Sequence, residues 1–194
     1  IGRTLNIVRI GTSGSVQADI PVDSFVISEK SIGCDGVLRF YANNESVCDH
    51  PFEEAFIRHC RWTPSAARPY VVNADPGLVD RLYDEEHTIK GVTLTAVGFY
   101  GPQGRVLRLP LAMPGINDRI TAFRYEGYKV TNYEMETAAV FVTSQALGLK
   151  AASICGVVAK RTESEEIAPP EIYHRAEVRF QKIVKRGLEE LLQR

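Results

Sequence analysis

The sequence predicts an α/β fold built on a mixed sheet, and three observations carry that prediction. Short apolar runs alternate with proline-opened helical segments along the chain, the pattern of strands layered against helices. One of those runs, LNIVRI at 5–10, passes straight into GTSGS, a glycine-rich stretch at a strand end, which is where α/β folds place ligands. The C-terminal segment sets Phe180, Ile183, Val184, Leu188, Leu191 and Leu192 at the i, i+3, i+4 spacing of an amphipathic helix lying on a sheet.

In chain order, residues 5–10 form the first strand and GTSGS turns it. Residues 23–30 (DSFVISEK) alternate polar and apolar as a half-buried strand does, and 36–41 (GVLRFY) read as another. Such alternation belongs to an antiparallel or mixed sheet. Pro51 and Pro76 open helices over 51–58 and 76–84, because proline's fixed φ and missing N–H suit the first helical turn. The runs 68–72 and 91–97 (GVTLTAV) read as buried strands. Beyond the loop FYGPQGR, residues 116–123 are helical, 133–147 form a mostly apolar helix, and 151–159 form the strand that closes the sheet. The polar, proline-ended stretch 161–170 (RTESEEIAPP) predicts a surface loop.

Composition narrows the function classes. The 194 residues are 44% apolar and carry 23 Lys+Arg against 24 Asp+Glu, a net charge of −1. That is enough apolar material for a packed core and excludes disorder as well as any general attraction to nucleic acid or anionic membrane. The longest weakly polar run, 137–149, is broken by Thr143, Ser144 and Gln145 and falls short of the roughly 18 residues a membrane span needs. The N-terminus shows neither the basic nor the apolar region of a signal peptide. Four cysteines without a pairing pattern fit reduced thiols, so a cytoplasmic location is expected. No repeat, low-complexity tract or linker divides the chain, and residues 1–194 read as one domain.

Three constellations could carry chemistry. Arg9, Gly11, Thr12, Ser13 and Gly14 combine a guanidinium, bare backbone and short hydroxyls, which is what a phosphate oxyanion binds; a plain glycine-serine turn is the competing reading. Phe99, Gln103 and Arg105 offer an aromatic plane, an amide and a fixed cation, a set that reads a planar heterocycle, although a Gly-Pro turn would look the same. Glu134, Met135 and Glu136 stand at the mouth of an apolar helix. Carboxylates there are either dipole partners of the helix or acceptors for a ribose diol. Cys48, Asp49, His50, His59 and Cys60 lack zinc-ligand spacing, so no metal site is expected. No G-x-S-x-G element or Cys-His signature argues for a covalent nucleophile.

Taken together, RIGTSG, FYGPQGR, NYEMET and the strand ending VVAKR resemble the nucleoside phosphorylase family, in its uridine-cleaving branch. The likeness runs over about residues 5–161. It implies a three-layer α/β/α fold with a central mixed sheet and a pentosyltransferase reaction, the reversible phosphorolysis of uridine to uracil and ribose 1-phosphate. By that resemblance Arg9 and Thr12 bind phosphate. Phe99, Gln103, Arg105, Val158, Ala159 and Arg161 surround uracil, with Arg161 acting through water. Glu136, with Met135 and Glu134, binds ribose. Arg9, Gln103, Arg105 and Glu136 carry the catalysis.

Inorganic phosphate is then the co-substrate, with no organic cofactor and no metal, no nucleic-acid or membrane partner, and a homo-oligomer, either a dimer or a hexamer built from dimers. Lys160-Arg161-Thr162 stands where purine-cleaving relatives have an Asp, which disfavours a purine. Family members also carry a preceding segment with a phosphate loop, a second arginine and a histidine, so the chain reads as the C-terminal two-thirds of a larger domain. A nucleosidase, another nucleoside phosphorylase, or a non-catalytic nucleoside-binding protein on the same fold are the competing readings.

Overall fold

A computed structural model of the protein describes residues 5–42, 45–161, 165–167 and 169–192. Eight strands form the sheet: β1 (Asn6–Ser15), β2 (Phe25–Gly33), β3 (Tyr70–Asn73), β4 (Thr88–Thr95), β5 (Arg124–Tyr125), β6 (Tyr128–Glu134), β7 (Lys150–Arg161) and β8 (Glu165–Ile167). Among the described residues five α-helices accompany them: α1 (His50–Cys60), α2 (Pro76–Leu82), α3 (Ile116–Ala122), α4 (Thr137–Ala146) and α5 (Pro170–Leu192). The strand order is β3-β2-β4-β6-β1-β7-β8, with β5 paired to β6. Parallel pairs (β1–β7, β2–β4, β4–β6) and antiparallel ones (β2–β3, β7–β8) both occur, so the sheet is mixed. The start of β2 also pairs antiparallel with Ile154–Gly156 of β7, which curls the sheet back on itself.

Helices cover both sides of the sheet. Leu78, Val79 and Leu82 of α2, Ala138, Phe141 and Val142 of α4 and Ile183 of α5 pack with Phe25, Ile27, Tyr70 and Val72. Phe52 and Phe56 of α1 and Ile116 and Ile120 of α3 pack with Ile32, Val71, Val92 and Leu94. The alternation of Tyr70 and Val72 against Val71 is the two-residue period of a strand buried on both faces. Asp49 and Asp75 cap α1 and α2 through the amides of Phe52 and Leu78, with proline in each first turn. No helix among the described residues is long and apolar enough to cross a membrane.

Four expectations change. The first strand does not stop at Ile10: β1 runs through GTSGS to Ser15, paired with β7 along its whole length. Its glycines serve as bare backbone under side chains, since a Cβ at Gly11 would lie 2.6 Å from the Arg9 guanidinium and one at Gly14 2.7 Å from Arg161 Nε. Residues 36–41 form a single 3-10 turn, Val37–Phe40, because Gly36 sits at φ 74 and Asp35 Oδ1 accepts from the Val37 amide at 2.9 Å. The helix expected over 133–147 begins only at Thr137; Tyr133 and Glu134 are the end of β6, opposite Leu94 and Thr95 of β4. Within the expected loop 161–170, Glu165–Ile167 pairs with Ala159–Arg161, while residues 162–164 and 168 lie outside the described residues. The side chains of Leu191 and Leu192 also lie outside that description.

Candidate active site

The ends of β1, β6 and β7 and the loop after β4 meet around a cavity of about 180 Å³. Ten of the residues to which the resemblance assigns a role line it. Arg9 and Thr12 come from β1, Phe99 and Gln103 from the loop, Glu134, Met135 and Glu136 from the β6–α4 junction, and Val158, Ala159 and Arg161 from β7. Arg105 lines instead an adjoining, more apolar cleft of about 1040 Å³. Its guanidinium nevertheless reaches the same group of side chains, 3.8 Å over the Phe99 ring and 3.3 Å from Gln103 Oε1.

Arg9 is the electrostatic centre of the cavity. Its Nη2 lies 3.2 Å from Glu134 Oε2 and also donates to Glu136, while Nη1 donates to Cys155 Sγ at 3.0 Å. Burial alone would loosen the proton of Arg9, but Cys155, Glu134 and Glu136 outweigh it and hold the guanidinium above its ordinary pKa. A permanent cation is therefore fixed at the cavity wall.

The two carboxylates have different surroundings. Glu134 is 4% exposed. One oxygen accepts from Thr95 Oγ1, and the other accepts from the amides of Glu136 and Thr137 at 2.9 and 2.8 Å. It thus satisfies the first amides of α4 and anchors the junction. Glu136 faces the open side of the cavity with its side chain 57% exposed. Of the pair, Glu136 has an oxygen without a partner among the described residues, placed to accept from a bound diol.

On the opposite wall, Gln103 is 3% exposed and its Oε1 accepts from Arg161 Nη2 as well as from Arg105. Two cations on Oε1 fix the amide plane, and Gln103 itself lines the cavity. Asn117 holds the loop by donating to Gln103 O at 3.2 Å, and Tyr133 donates to Asn117 Oδ1 at 3.0 Å. Gly104, at φ 73, turns the chain so that this contact forms. The Arg161 guanidinium lies 5.0 Å from the Phe99 ring centre, so the aromatic face is flanked by Arg105 and Arg161.

Other residues of the site carry no role by the resemblance, although Ser13 belongs to the hydroxyl-bearing stretch after Arg9 that the sequence singles out. Ser13 is 5% exposed, lines the cavity, and its hydroxyl has no partner among the described residues. Thr95 and Cys155 act on Glu134 and Arg9 from strands that read only as apolar runs. The Cys/His-bearing stretch over 48–60 lies elsewhere: Asp49 pairs with Lys30 at 2.7 Å, His50 with Glu53 at 3.0 Å, and His59 Nε2 meets Arg119 O at 3.0 Å.

Comparison with known proteins bears on the family and the fold. The family model described as the phosphorylase superfamily matches residues 3–189. A uridine phosphorylase of Haemophilus influenzae is 27% identical over 165 residues, covering 81% of this chain and 55% of that protein. A uridine phosphorylase of Salmonella typhimurium is 26% identical over 194 residues, covering 95% of this chain and 65% of that protein. The fold matches a crystal structure of a Trypanosoma brucei nucleoside phosphorylase, described as showing uridine phosphorylase activity, with a TM-score of 0.78 at 24% identity over 95% of this chain and 63% of that one. The chain thus spans little more than half to two-thirds of the length of these relatives.

Proposed function

Because the chain belongs to the phosphorylase superfamily, we propose that its cavity carries out the phosphorolysis of uridine, giving uracil and ribose 1-phosphate with inorganic phosphate as the second substrate and no organic cofactor. The observation that carries this reading is the sorting of three chemistries onto three walls of one small cavity. Arg9, Thr12 and Ser13 line one wall, suited to an anion, Glu136 offers a diol acceptor, and Gln103, Phe99 and Arg161 line a heterocycle wall that Arg105 reaches from the adjoining cleft.

Each wall answers one demand of the reaction. As the glycosidic bond lengthens, the ribose gains oxocarbenium character and the departing uracil gains negative charge. Phosphate held at Arg9 places an anion close to the developing cation. Glu136, accepting from the 2′- and 3′-hydroxyls, fixes the sugar between phosphate and base. Gln103 Nε2 donates to a uracil carbonyl, and the two arginines behind Oε1 increase the positive potential there as charge builds on the base. Those contacts strengthen toward the transition state, which is what accelerates a reaction rather than merely tightening binding.

Arg9 is engaged by both Glu134 and Glu136, so an incoming phosphate competes with Glu136 for the guanidinium. That single observation favours a second reading, a nucleoside-binding protein without turnover. Uracil release from uridine, followed with and without inorganic phosphate, separates the two. The proposal expects release only with phosphate, accompanied by equimolar ribose 1-phosphate, and a loss of about a hundredfold or more in Arg9→Ala, in line with removal of one charge-stabilising donor. Phosphate-independent release overturns it, and uridine binding without turnover at any phosphate concentration selects the second reading.

A further inference from the structure

Arg9 lies in a cradle made by two residues that the reading above leaves without a role. β1 and β7 run parallel with Arg9 opposite Ser153 and Gly11 opposite Cys155. Residues i and i+2 of a strand share a face, and the Arg9 side chain lies back across Gly11. A Cβ placed there would stand 2.6 Å from Nη1 and 2.8 Å from both Cζ and Nη2. Across the strand pair, Cys155 Sγ accepts from Nη1 at 3.0 Å. The sulfur is itself buried and backed by Ser153 Oγ at 4.0 Å, which contacts Thr137 Oγ1 at 3.0 Å in the first turn of α4.

The two ends of the guanidinium are therefore held by groups of different kinds. Carboxylates hold Nη2, and a sulfur holds Nη1. Burial pushes the Cys155 thiol up to about 11, so at neutral pH it is an uncharged acceptor. A carboxylate in its place would neutralise Arg9 further and compete with an incoming anion. A methyl group would leave Nη1 unpaired and the plane of the guanidinium free to swing about the Nη2 end. A thiol fixes the plane and leaves the charge available.

We infer that Gly11 and Cys155 set the angle at which Arg9 presents its guanidinium to phosphate, which makes Cys155 a positioning residue for the second substrate; the inference rests on the reading of Arg9 as the phosphate cation. Its consequence is selective. Loss of the sulfur weakens phosphate and spares the nucleoside, whose contacts lie on the other walls.

The test is calorimetric binding of inorganic phosphate and, separately, of uridine to the full chain and to Cys155→Ala, Cys155→Ser, Gly11→Ala and Arg9→Ala. Cys155→Ala is expected to weaken phosphate about tenfold, the value of one hydrogen bond to a charged group, and to change uridine less than about twofold on the same scale. Cys155→Ser, which restores an uncharged acceptor, is expected to recover most of the loss. Gly11→Ala keeps the sulfur but displaces the guanidinium, and is expected to weaken phosphate as Cys155→Ala does. Equal weakening of both ligands, or no recovery in Cys155→Ser, shows a merely structural role and overturns the inference. Unchanged phosphate binding in Cys155→Ala, when Arg9→Ala weakens it, overturns the cradle alone. Unchanged phosphate binding in Arg9→Ala overturns the anion-wall reading and the cradle with it.

Discussion

Gly14 shows how a residue with no side chain can govern one that has a long one. Its φ lies outside the left-handed region, so alanine fits the backbone, and the constraint is purely steric: a Cβ would stand 2.7 Å from Arg161 Nε and 3.0 Å from its Cγ. Arg161 would have to leave the position from which it donates to Gln103 Oε1 and flanks Phe99. Gly14→Ala is expected to weaken uridine about tenfold, the worth of one hydrogen bond from a charged donor, with phosphate binding unchanged. In a double-mutant cycle it should add nothing to Arg161→Ala, because both remove the same contact; additive losses would show that Gly14 acts elsewhere. Arg9, Gln103 and Glu136 are legible in the sequence, since charge and amide chemistry are written in residue type, whereas Arg161 is marked only by the family resemblance. The sequence could not show why Gly11 and Gly14 stand between them. Two glycines among hydroxyls suggest a turn, and only the pairing of β1 with β7 reveals them as floor space for guanidinium groups.

The β6–α4 junction carries the same lesson for whole elements. NYEME reads as a helix entrance because two acidic residues precede an apolar, alanine-bearing run. The parallel register of Leu94 with Tyr133 and Thr95 with Glu134 keeps that segment in the sheet until Glu134. Thr95 then joins strand to helix: its hydroxyl donates to Glu134 and accepts from the Ala138 amide at 2.9 Å. Nothing in GVTLTAV marks this threonine, because strand periodicity reports burial and leaves hydrogen bonding unspecified. Thr95→Val keeps the shape and removes both bonds together with the 3.2 Å contact to Ser31 Oγ, leaving a buried amide unpaired and a buried carboxylate short of one donor. A loss of roughly 2–3 kcal/mol is expected by denaturant unfolding, with faster hydrogen exchange at Thr137 and Ala138 and little change in α1 or α3. Thr95→Ser should retain most of the stability. A uniform rise in exchange across the chain would show that Thr95 matters only as core volume.

At the scale of the whole molecule, the interior holds several weak acids in neutral form on both sides of the sheet. Burial raises the Cys60 thiol to about 12 and the Cys155 thiol to about 11, and lifts Cys34 well above its ordinary value of 9.0. Tyr70 and Tyr133 are likewise raised above 10.0 by burial, with Asp35 adding to the effect at Tyr70. Each group keeps its proton in the folded chain at a pH where the unfolded chain releases it. Stability from these groups is therefore intact below about pH 9, and it falls as pH rises from there through the folded values. Each thiol steepens the fall by about 1.4 kcal/mol per pH unit, so three acting together exhaust the stability of a typical domain within a few pH units. Thermal unfolding followed from pH 7 to 11 should show a flat region with respect to these groups and then a steep decline beginning near pH 9. Cys60→Ala leaves a small void and lowers stability at every pH, yet it removes one titrating group, so its decline above pH 9 should be shallower by about a third of the thiol contribution. A parallel curve, displaced but equally steep, would mean that the Cys60 thiol ionises as readily in the folded chain as in the unfolded one.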